Sequence, residues 1–525
     1  VSISLLLEMA LSSNPGRTAV VDGALRLTRE ELSMLVDGGA GVIASSGAEY
    51  VAYVGAGGIN LPLLIFSCAR AGAAFAPLNY RLSHDGLCQL IDRLPRLLVV
   101  VDSEYRDLLA GGRKRVMTTA EFIDAAGAAQ PVSEFPDPDA VAVVLFTSGT
   151  TSRPKAVELT HNNLTSYVTG TVDFDSAQAT DAALICVPPY HIAGVGAAVS
   201  NLYAGRTMVY QNRFDAQEWV RLVNRERVTT ATVVPTMLDR IVATLESEPV
   251  ELPTLRNLAY GGSKVALPLV RRALDLLPGV GFVNAYGLTE TSSTIAVLTP
   301  DDHRSAHGAV DPAVAKRLGS VGRPVPGVEV QIRAADGSVL GPSETGELFV
   351  RGEQVSGCYA ETGSVLDADG WFPTRDIATF DEEGYLFITG RADDTIIRGG
   401  ENIAPAELED VLIEHPHVRE VAVVGVEDRE WGQIIVAVVV PARGATPDPD
   451  QLREHVRRSL RGSRTPDRVV FRDQLPSSAT GKVLRRDIVE SLRPARSIHE
   501  AAANIQSTHR SDHDQNRHPI SKPGV

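Results

Sequence analysis

Short apolar runs alternate with amphipathic stretches over roughly the first 350 residues. YVAYVGA (50–56), RLLVVVD (96–102), AALICVP (182–188) and TATVVPT (230–236) are compact and apolar, which predicts strands. AQEWVRLVNRER (216–227) and LPLVRRALDLL (267–277) show helical periodicity instead. Strands spaced by helices predict a mostly parallel sheet in an α/β domain. Around 319–352 the pattern changes to short strands between Gly/Pro turns, VPGVEVQIRAADGSVLGPSETGELFVRG, and a small β-subdomain of hairpins is expected. After TGRADDTIIRGG (389–400) comes a shorter α+β pattern: a helix at 405–415, strands at 420–426 and 434–440, and a helix at 450–460. The predicted organisation is a large N-terminal domain over 1–392, a smaller C-terminal domain over 393–490 and a disordered polar tail over 491–525. Three histidines in that tail (His509, His513, His518) read as solvated.

Composition narrows the class. A chain of 525 residues exceeds one compact core, so two or three domains are expected. The nearest approach to a membrane span, 61–78, is broken by Arg70 and holds two prolines, so no transmembrane segment is expected. Residues 1–15 show no basic stretch ahead of an apolar core, and the four cysteines form no CxxC pair. A cytoplasmic protein with scattered reduced thiols is the expectation. The formal charge of −15 argues against nucleic acid as a partner but leaves room for a small polyanion at a local cluster. Only 6 lysines stand against 44 arginines, which makes each lysine a candidate for a role needing a compact ammonium. Two of them, Lys155 and Lys482, fall in Gly/Ser/Thr-rich loops.

The loop FTSGTTSRPKAVELTH (146–161) follows an uncharged apolar run and reads as a phosphate site or a plain surface turn. It is not a Walker A loop, because Pro154 precedes Lys155 and no Ser or Thr follows it. SSATGKVLRR (477–486) lacks the upstream glycine and fails the same test. Backbone N–H groups and hydroxyls can still form an anion nest between two strands.

TSGTTSRPKAV (147–157) strongly resembles the phosphate loop of the adenylate-forming enzymes, which include acyl-CoA synthetases, adenylation domains of peptide synthetases and luciferases. Four more segments match that family in order: PPYHIAG (188–194), AYGLTET (285–291), GWFPTRDIATFDEEGYLFITGRADDTIIRGGENIAPAELE (370–409) and SSATGKVLRRD (477–487). The resemblance covers about residues 10–490. It implies a large N-terminal adenylate-forming domain with a smaller, mobile C-terminal domain. It also implies a two-step reaction in which a carboxylate attacks the α-phosphate of ATP-Mg²⁺, and a thiol, usually of coenzyme A, then displaces AMP. Such chemistry brings two anions together, so cations, metal and N–H donors must neutralise charge.

By this resemblance Thr147, Ser148, Gly149, Thr150, Thr151 and Lys155 cradle the β- and γ-phosphates. Tyr286, followed by Gly287, lies against adenine, with Gly261, Gly262 and Ser263 on the other face. Thr289 contacts the α-phosphate, and Glu290 holds Mg²⁺. Asp376 accepts from the ribose hydroxyls, and Arg391 contacts ribose or phosphate. Lys482 bridges the carboxylate and the α-phosphate. Asp393 matches the hinge about which the C-terminal domain swings, and Gly399 and Gly400 allow close approach of the pantetheine arm. The acyl pocket is implied near His191, with Gly194 and Gly196 offering either room for an apolar chain or close helix packing.

The sequence departs from the family where Ser152, Ala156 and Arg375 replace usual glycines, and where Arg464 replaces a common lysine. Arg375 is left between contacting ATP and pointing to solvent. No arginine occurs in PPYHIAGVGAAVSN (188–201) to pair with a second carboxylate, so an apolar monocarboxylate, fatty or aryl, is expected as substrate. The implied activity is an ATP-dependent acyl-CoA synthetase using ATP, Mg²⁺ and coenzyme A, acting as a monomer or homodimer. An acyl-AMP ligase serving a carrier protein, luciferase-like oxygen chemistry and a catalytically weak nucleotide-binding protein are the alternatives.

Overall fold

Leu97–Val101 and Ala74–Leu78 are buried at every position. That is the signature of parallel strands covered on both faces, and it explains why their sequences run apolar without alternation. The computed structural model describes residues 1–109, 115–147, 154–460, 462–478 and 482–492, the side chain of Asn402 excepted. An eight-stranded sheet has Tyr50–Val54 parallel to both Ala74–Leu78 and Leu97–Val101 at its centre. On one side it continues through Val141–Thr147 and the antiparallel Lys155–Thr160 to the short strands Cys358–Tyr359 and Gly363–Ser364. A nine-stranded sheet has Gly281–Leu288, Asn257–Gly261, Thr230–Val233, Ala182–Ile185, Thr207–Tyr210 and Thr18–Asp22 in parallel succession, with antiparallel strands at both edges.

One continuous apolar cluster draws side chains from both sheets and from the helices among them. Within it the helix Asn60–Ala71 is buried from Leu61 to Arg70. The apolar run at 61–78 is therefore a core helix followed by a core strand. No helix among the described residues is long and apolar enough to cross a membrane. Arg70, 1% exposed, is compensated by Glu8 and Asp37, as a buried guanidinium requires.

The expected β-subdomain is larger than the 319–352 segment suggests. Glu329–Arg333 and Gly346–Arg351 pair with Phe372–Phe380 and Leu386–Arg391 into a four-stranded antiparallel sheet with its own apolar cluster. Past it, the hairpin Ile396–Arg398/Glu401–Ile403 leads into the helix Pro405–Ile413. A three-stranded sheet follows, Val418–Asp428, Gly432–Pro441 and Arg468–Phe471, with apolar clusters on both faces. Helices expected at 216–227 and 267–277 are Ala216–Arg225 and Leu267–Leu276. The strand expected at 230–236 ends at Val233, because Pro235 opens a helix at its first turn.

Candidate active site

The hairpin Val141–Thr147/Lys155–Thr160 places Thr147 opposite Lys155. Ser148, Gly149, Thr150 and Thr151, assigned to phosphate binding from sequence, lie outside the described residues, as does Ser152. The Lys155 ammonium sits 5.0 Å from the centroid of the Tyr359 ring. The Tyr359 hydroxyl in turn donates to Glu290 Oε1 at 2.8 Å. Glu290 belongs to the turn Thr289–Thr291 at the end of the strand Gly281–Leu288. Its carbonyl oxygen accepts from the N–H groups of Ser356 at 2.9 Å and Gly357 at 3.3 Å. Three chain segments far apart in sequence are thus joined through Tyr359 and the Glu290 backbone.

Asp376 is the second centre. It faces Arg391 across adjacent antiparallel strands, with Arg391 Nε 3.2 Å from Asp376 Oδ1. The Tyr286 hydroxyl donates to Asp376 Oδ2. Arg391 also donates to the Thr374 carbonyl at 3.0 Å, which fixes its plane. Asp376 is 6% exposed, and burial raises its pKa despite the opposing effects of Arg391, Tyr286 and Lys482; Glu290 adds to the rise. Gly261, opposite Ala285, together with Gly262 and Ser263, stands at the carboxyl end of its strand beside Tyr286 and Gly287. Ligands bind at such strand ends in α/β sheets.

Lys482 reaches this centre from the C-terminal part of the chain. Its backbone is held by Ser478, whose N–H donates to the Lys482 carbonyl at 2.8 Å and whose hydroxyl accepts from the Lys482 N–H at 3.1 Å. The residue stays accessible to solvent. Desolvation by its neighbours lowers its pKa, Arg391 and Arg485 add to that, and Asp394 and Asp376 oppose it. Lys482 therefore lies within electrostatic reach of the Asp376–Arg391 pair. A second tie across the same boundary joins Lys264, just after Ser263, to Asp410 at 2.7 Å.

Where the acyl pocket is expected, His191 occupies the N-cap position of the helix Ile192–Ala204, with its Nε2 buried and without a hydrogen-bond partner. Burial, with the nearby Arg81 charge, lowers its pKa to about 4, so the ring is neutral at physiological pH. The two glycines of this helix differ. A Cβ on Gly194 would stand 2.6 Å from the Pro188 carbonyl oxygen, so this glycine serves close packing. A Cβ on Gly196 would meet only side chains, the Tyr167 ring at 3.3 Å and Ser293 at 3.7 Å. Ser293 itself has φ 116°, a conformation that L-residues rarely adopt.

Asp393 sits in the turn Ala392–Asp394 and receives Arg375 Nη2 at 3.2 Å; Arg375 Nη1 lies 3.5 Å from Glu347. Arg375 has φ 64°, the left-handed conformation that glycine adopts without strain. The Arg375 side chain is 52% exposed, as the solvent-facing alternative expects, and it also spans from the β-subdomain to the 392–394 turn. Gly399 and Gly400 form the tip of the Ile396–Arg398/Glu401–Ile403 hairpin, where the Gly399 N–H donates to the Trp431 carbonyl at 2.8 Å. Space around Gly400 is open. Of the C-terminal candidates it is Lys482 whose charge is felt at Asp376. Sequence reasoning missed Tyr359, Asp394 and Ser293, since each acts through partners remote in the chain and no local pattern marks it.

These elements gather the sheet ends, the Asp376–Arg391 pair and the Glu290 turn on the side of the chain that Lys482 also faces electrostatically. A family profile described as AMP-binding enzyme matches residues 7–360, and one described as AMP-binding enzyme C-terminal domain matches 407–482. The feruloyl-CoA synthase of an Amycolatopsis species is 36% identical over 488 residues, covering 90% of this chain and 96% of its own. The indoleacetate–CoA ligase of Aromatoleum aromaticum is 33% identical over 496 residues, covering 90% and 95%. The o-succinylbenzoate CoA synthetase of Bacillus subtilis, solved with its acyl-adenylate intermediate, superposes with a TM-score of 0.81 at 28% identity, covering 94% and 98%. The chain belongs to the AMP-binding, adenylate-forming enzymes. Within that superfamily it is an acid–thiol ligase that uses ATP, Mg²⁺ and coenzyme A.

Among the described residues no group of three or more His, Cys, Asp or Glu could hold a metal ion by itself. A single protein carboxylate, Glu290, fits a magnesium ion that arrives with the nucleotide, because Mg²⁺ is usually held by one or two carboxylates together with substrate phosphates.

Proposed function

We propose that this enzyme activates an aryl or aryl-alkyl monocarboxylic acid as its acyl-adenylate and passes the acyl group to coenzyme A. The observation that carries the reading is the electrostatic coupling of Lys482 to the Asp376–Arg391 pair, which itself meets at 3.2 Å. There an ammonium can approach the substrate carboxylate and the α-phosphate of a nucleotide whose ribose is held by Asp376. Lys155 and the 148–151 loop take the β- and γ-phosphates, Glu290 takes the Mg²⁺ that accompanies them, and Thr289 contacts the α-phosphate. Tyr286, Gly287, Gly261, Gly262 and Ser263 bound the base, and Arg391 contacts ribose or phosphate.

In the first step a carboxylate oxygen forms a bond to the α-phosphorus, the α–β bridging bond breaks, and pyrophosphate leaves. In the second, the coenzyme A sulfur bonds to the acyl carbon as AMP departs. The body beyond residue 393 turns between the steps, withdrawing Lys482 and bringing Gly399 and Gly400 to the site. This division lets one cleft serve two reactions. The need for ATP and coenzyme A supports a cytoplasmic site of action.

The aryl assignment is supported by the feruloyl and indoleacetate relatives and by Gly196, whose missing side chain leaves Tyr167 and Ser293 facing the helix. The test is release of AMP and pyrophosphate from ATP-Mg²⁺ across aryl acids, fatty acids and dicarboxylates, each with and without coenzyme A. Turnover with aryl acids that requires coenzyme A is expected. Turnover with fatty acids alone would overturn the aryl assignment. A pyrophosphate burst that coenzyme A does not turn over would move the acceptor to a carrier protein.

A further inference from the structure

We propose that Tyr359 is a positioning residue that holds both charged ends of the triphosphate site in register, its hydroxyl setting the Glu290 carboxylate and its ring seating the Lys155 ammonium. This inference rests on the reading of Glu290 and Lys155 given above. Tyr359 pairs with Val157 at the edge of the eight-stranded sheet, and the Ala360 N–H donates to the Ala156 carbonyl at 2.9 Å. The segment carrying Tyr359 is therefore fastened to the very strand that begins with Lys155. A few residues earlier, Ser356 and Gly357 donate to the Glu290 backbone. Residues 356–360 thus connect the phosphate hairpin to the 289–291 turn, and Tyr359 is the side chain that touches a functional group of each.

Packing alone does not account for the tyrosine. The ring belongs to the main core cluster and is 8% exposed, and a phenylalanine would fill the same volume. Burying a hydroxyl costs free energy unless it is hydrogen-bonded, and this one donates to Glu290 Oε1 at 2.8 Å. With Oε1 engaged, the rotation of the carboxylate is restrained, and Oε2 would be the oxygen left to hold a metal. Partners of this kind orient a ligand, and losing one weakens metal affinity by about 10- to 100-fold. The ring acts on the other end. A cation over an aromatic face is attracted to it, more so when the face is shielded from water, and Lys155 is placed 5.0 Å above this one.

The two contacts separate by substitution and by equilibrium nucleotide binding, which needs no turnover. Tyr359→Phe keeps the ring and removes the donor. The Mg²⁺ concentration giving half-maximal enhancement of ATP binding should rise about tenfold, while affinities for Mg²⁺-free ATP and for AMP stay at wild-type values. Tyr359→Leu removes both, so Mg²⁺-free ATP should also bind more weakly, while AMP, which has no β- or γ-phosphate, binds as before. Retained AMP affinity shows that the nucleotide cleft is folded in each variant. A Tyr359→Phe enzyme with the wild-type Mg²⁺ dependence overturns the inference. So does equal weakening of AMP and ATP, which would make Tyr359 a general support of the cleft. If wild-type enzyme shows no Mg²⁺-dependent ATP binding, the failure lies instead with the Glu290 and Lys155 assignments beneath it.

Discussion

Asp376 accepts from Tyr286 and Arg391 and keeps lone pairs for further donors. Its burial raises the carboxyl pKa, and the nearby Glu290 works in the same direction. The fold therefore favours the neutral acid relative to the unfolded chain, and that preference is lost as pH rises through the raised pKa. In the proposed reading the ribose hydroxyls donate to Asp376, and the ionised form is the stronger acceptor. AMP affinity should accordingly fall in acid at a pH above the usual aspartate value of about 3.9. Titration of AMP binding against pH checks this, and Asp376→Asn should weaken binding by about tenfold or more and remove the acid limb. An acid limb in the ordinary carboxylate range would contradict the electrostatic account of this residue.

At the scale of the element, the strand Phe372–Phe380, at the residue just before Asp376, shows what a departure from the family does. A non-glycine residue in the left-handed region costs about 1–2 kcal/mol, and Arg375 is held there at φ 64°. Its side chain, 52% exposed, reaches Asp393 and Glu347, and exposed pairs of this kind contribute about 0–1 kcal/mol each. Strain and pairing nearly offset, so Arg375→Gly should change the melting temperature little. It should, however, free the 392–394 turn. Arg391 and Arg398 flank that turn, so trypsin should nick the Arg375→Gly enzyme between the two bodies faster than wild type. Equal nicking rates would mean that Arg375 does not hold the turn. The sequence could show that a glycine position had been filled by arginine. It could not show the partner, because Glu347 and Asp393 come from different strands and a turn. Tyr359 escaped notice for the same reason: its meaning is a pairing with Val157, some two hundred residues away.

For the molecule as a whole, the class was legible because parallel strands covered on both faces must be apolar throughout, as at Leu97–Val101, and because five motifs occur in order. The order of strands within the two large sheets was not, since neighbours such as Thr18–Asp22 and Thr207–Tyr210 are remote in the chain. Nor was the size of the β-subdomain, whose later strands lie inside the segment read as a motif. The placement of the C-terminal body was equally hidden. Among its contacts across the boundary are the polar pairs Lys264 with Asp410 and Arg375 with Asp393, and such pairs leave no periodic trace.

The claim that this body supplies a cation to the first step alone is tested most directly by following the two half-reactions in Lys482→Ala. One arm measures acyl-AMP and pyrophosphate formed from ATP-Mg²⁺ and an accepted acid. The other measures acyl-CoA formed from supplied acyl-AMP. Removing a preorganised charge stabiliser of this kind should slow adenylation by about a hundredfold or more, with thioester formation close to the wild-type rate. Loss of both half-reactions together in a folded variant, or adenylation at the wild-type rate, would contradict the account.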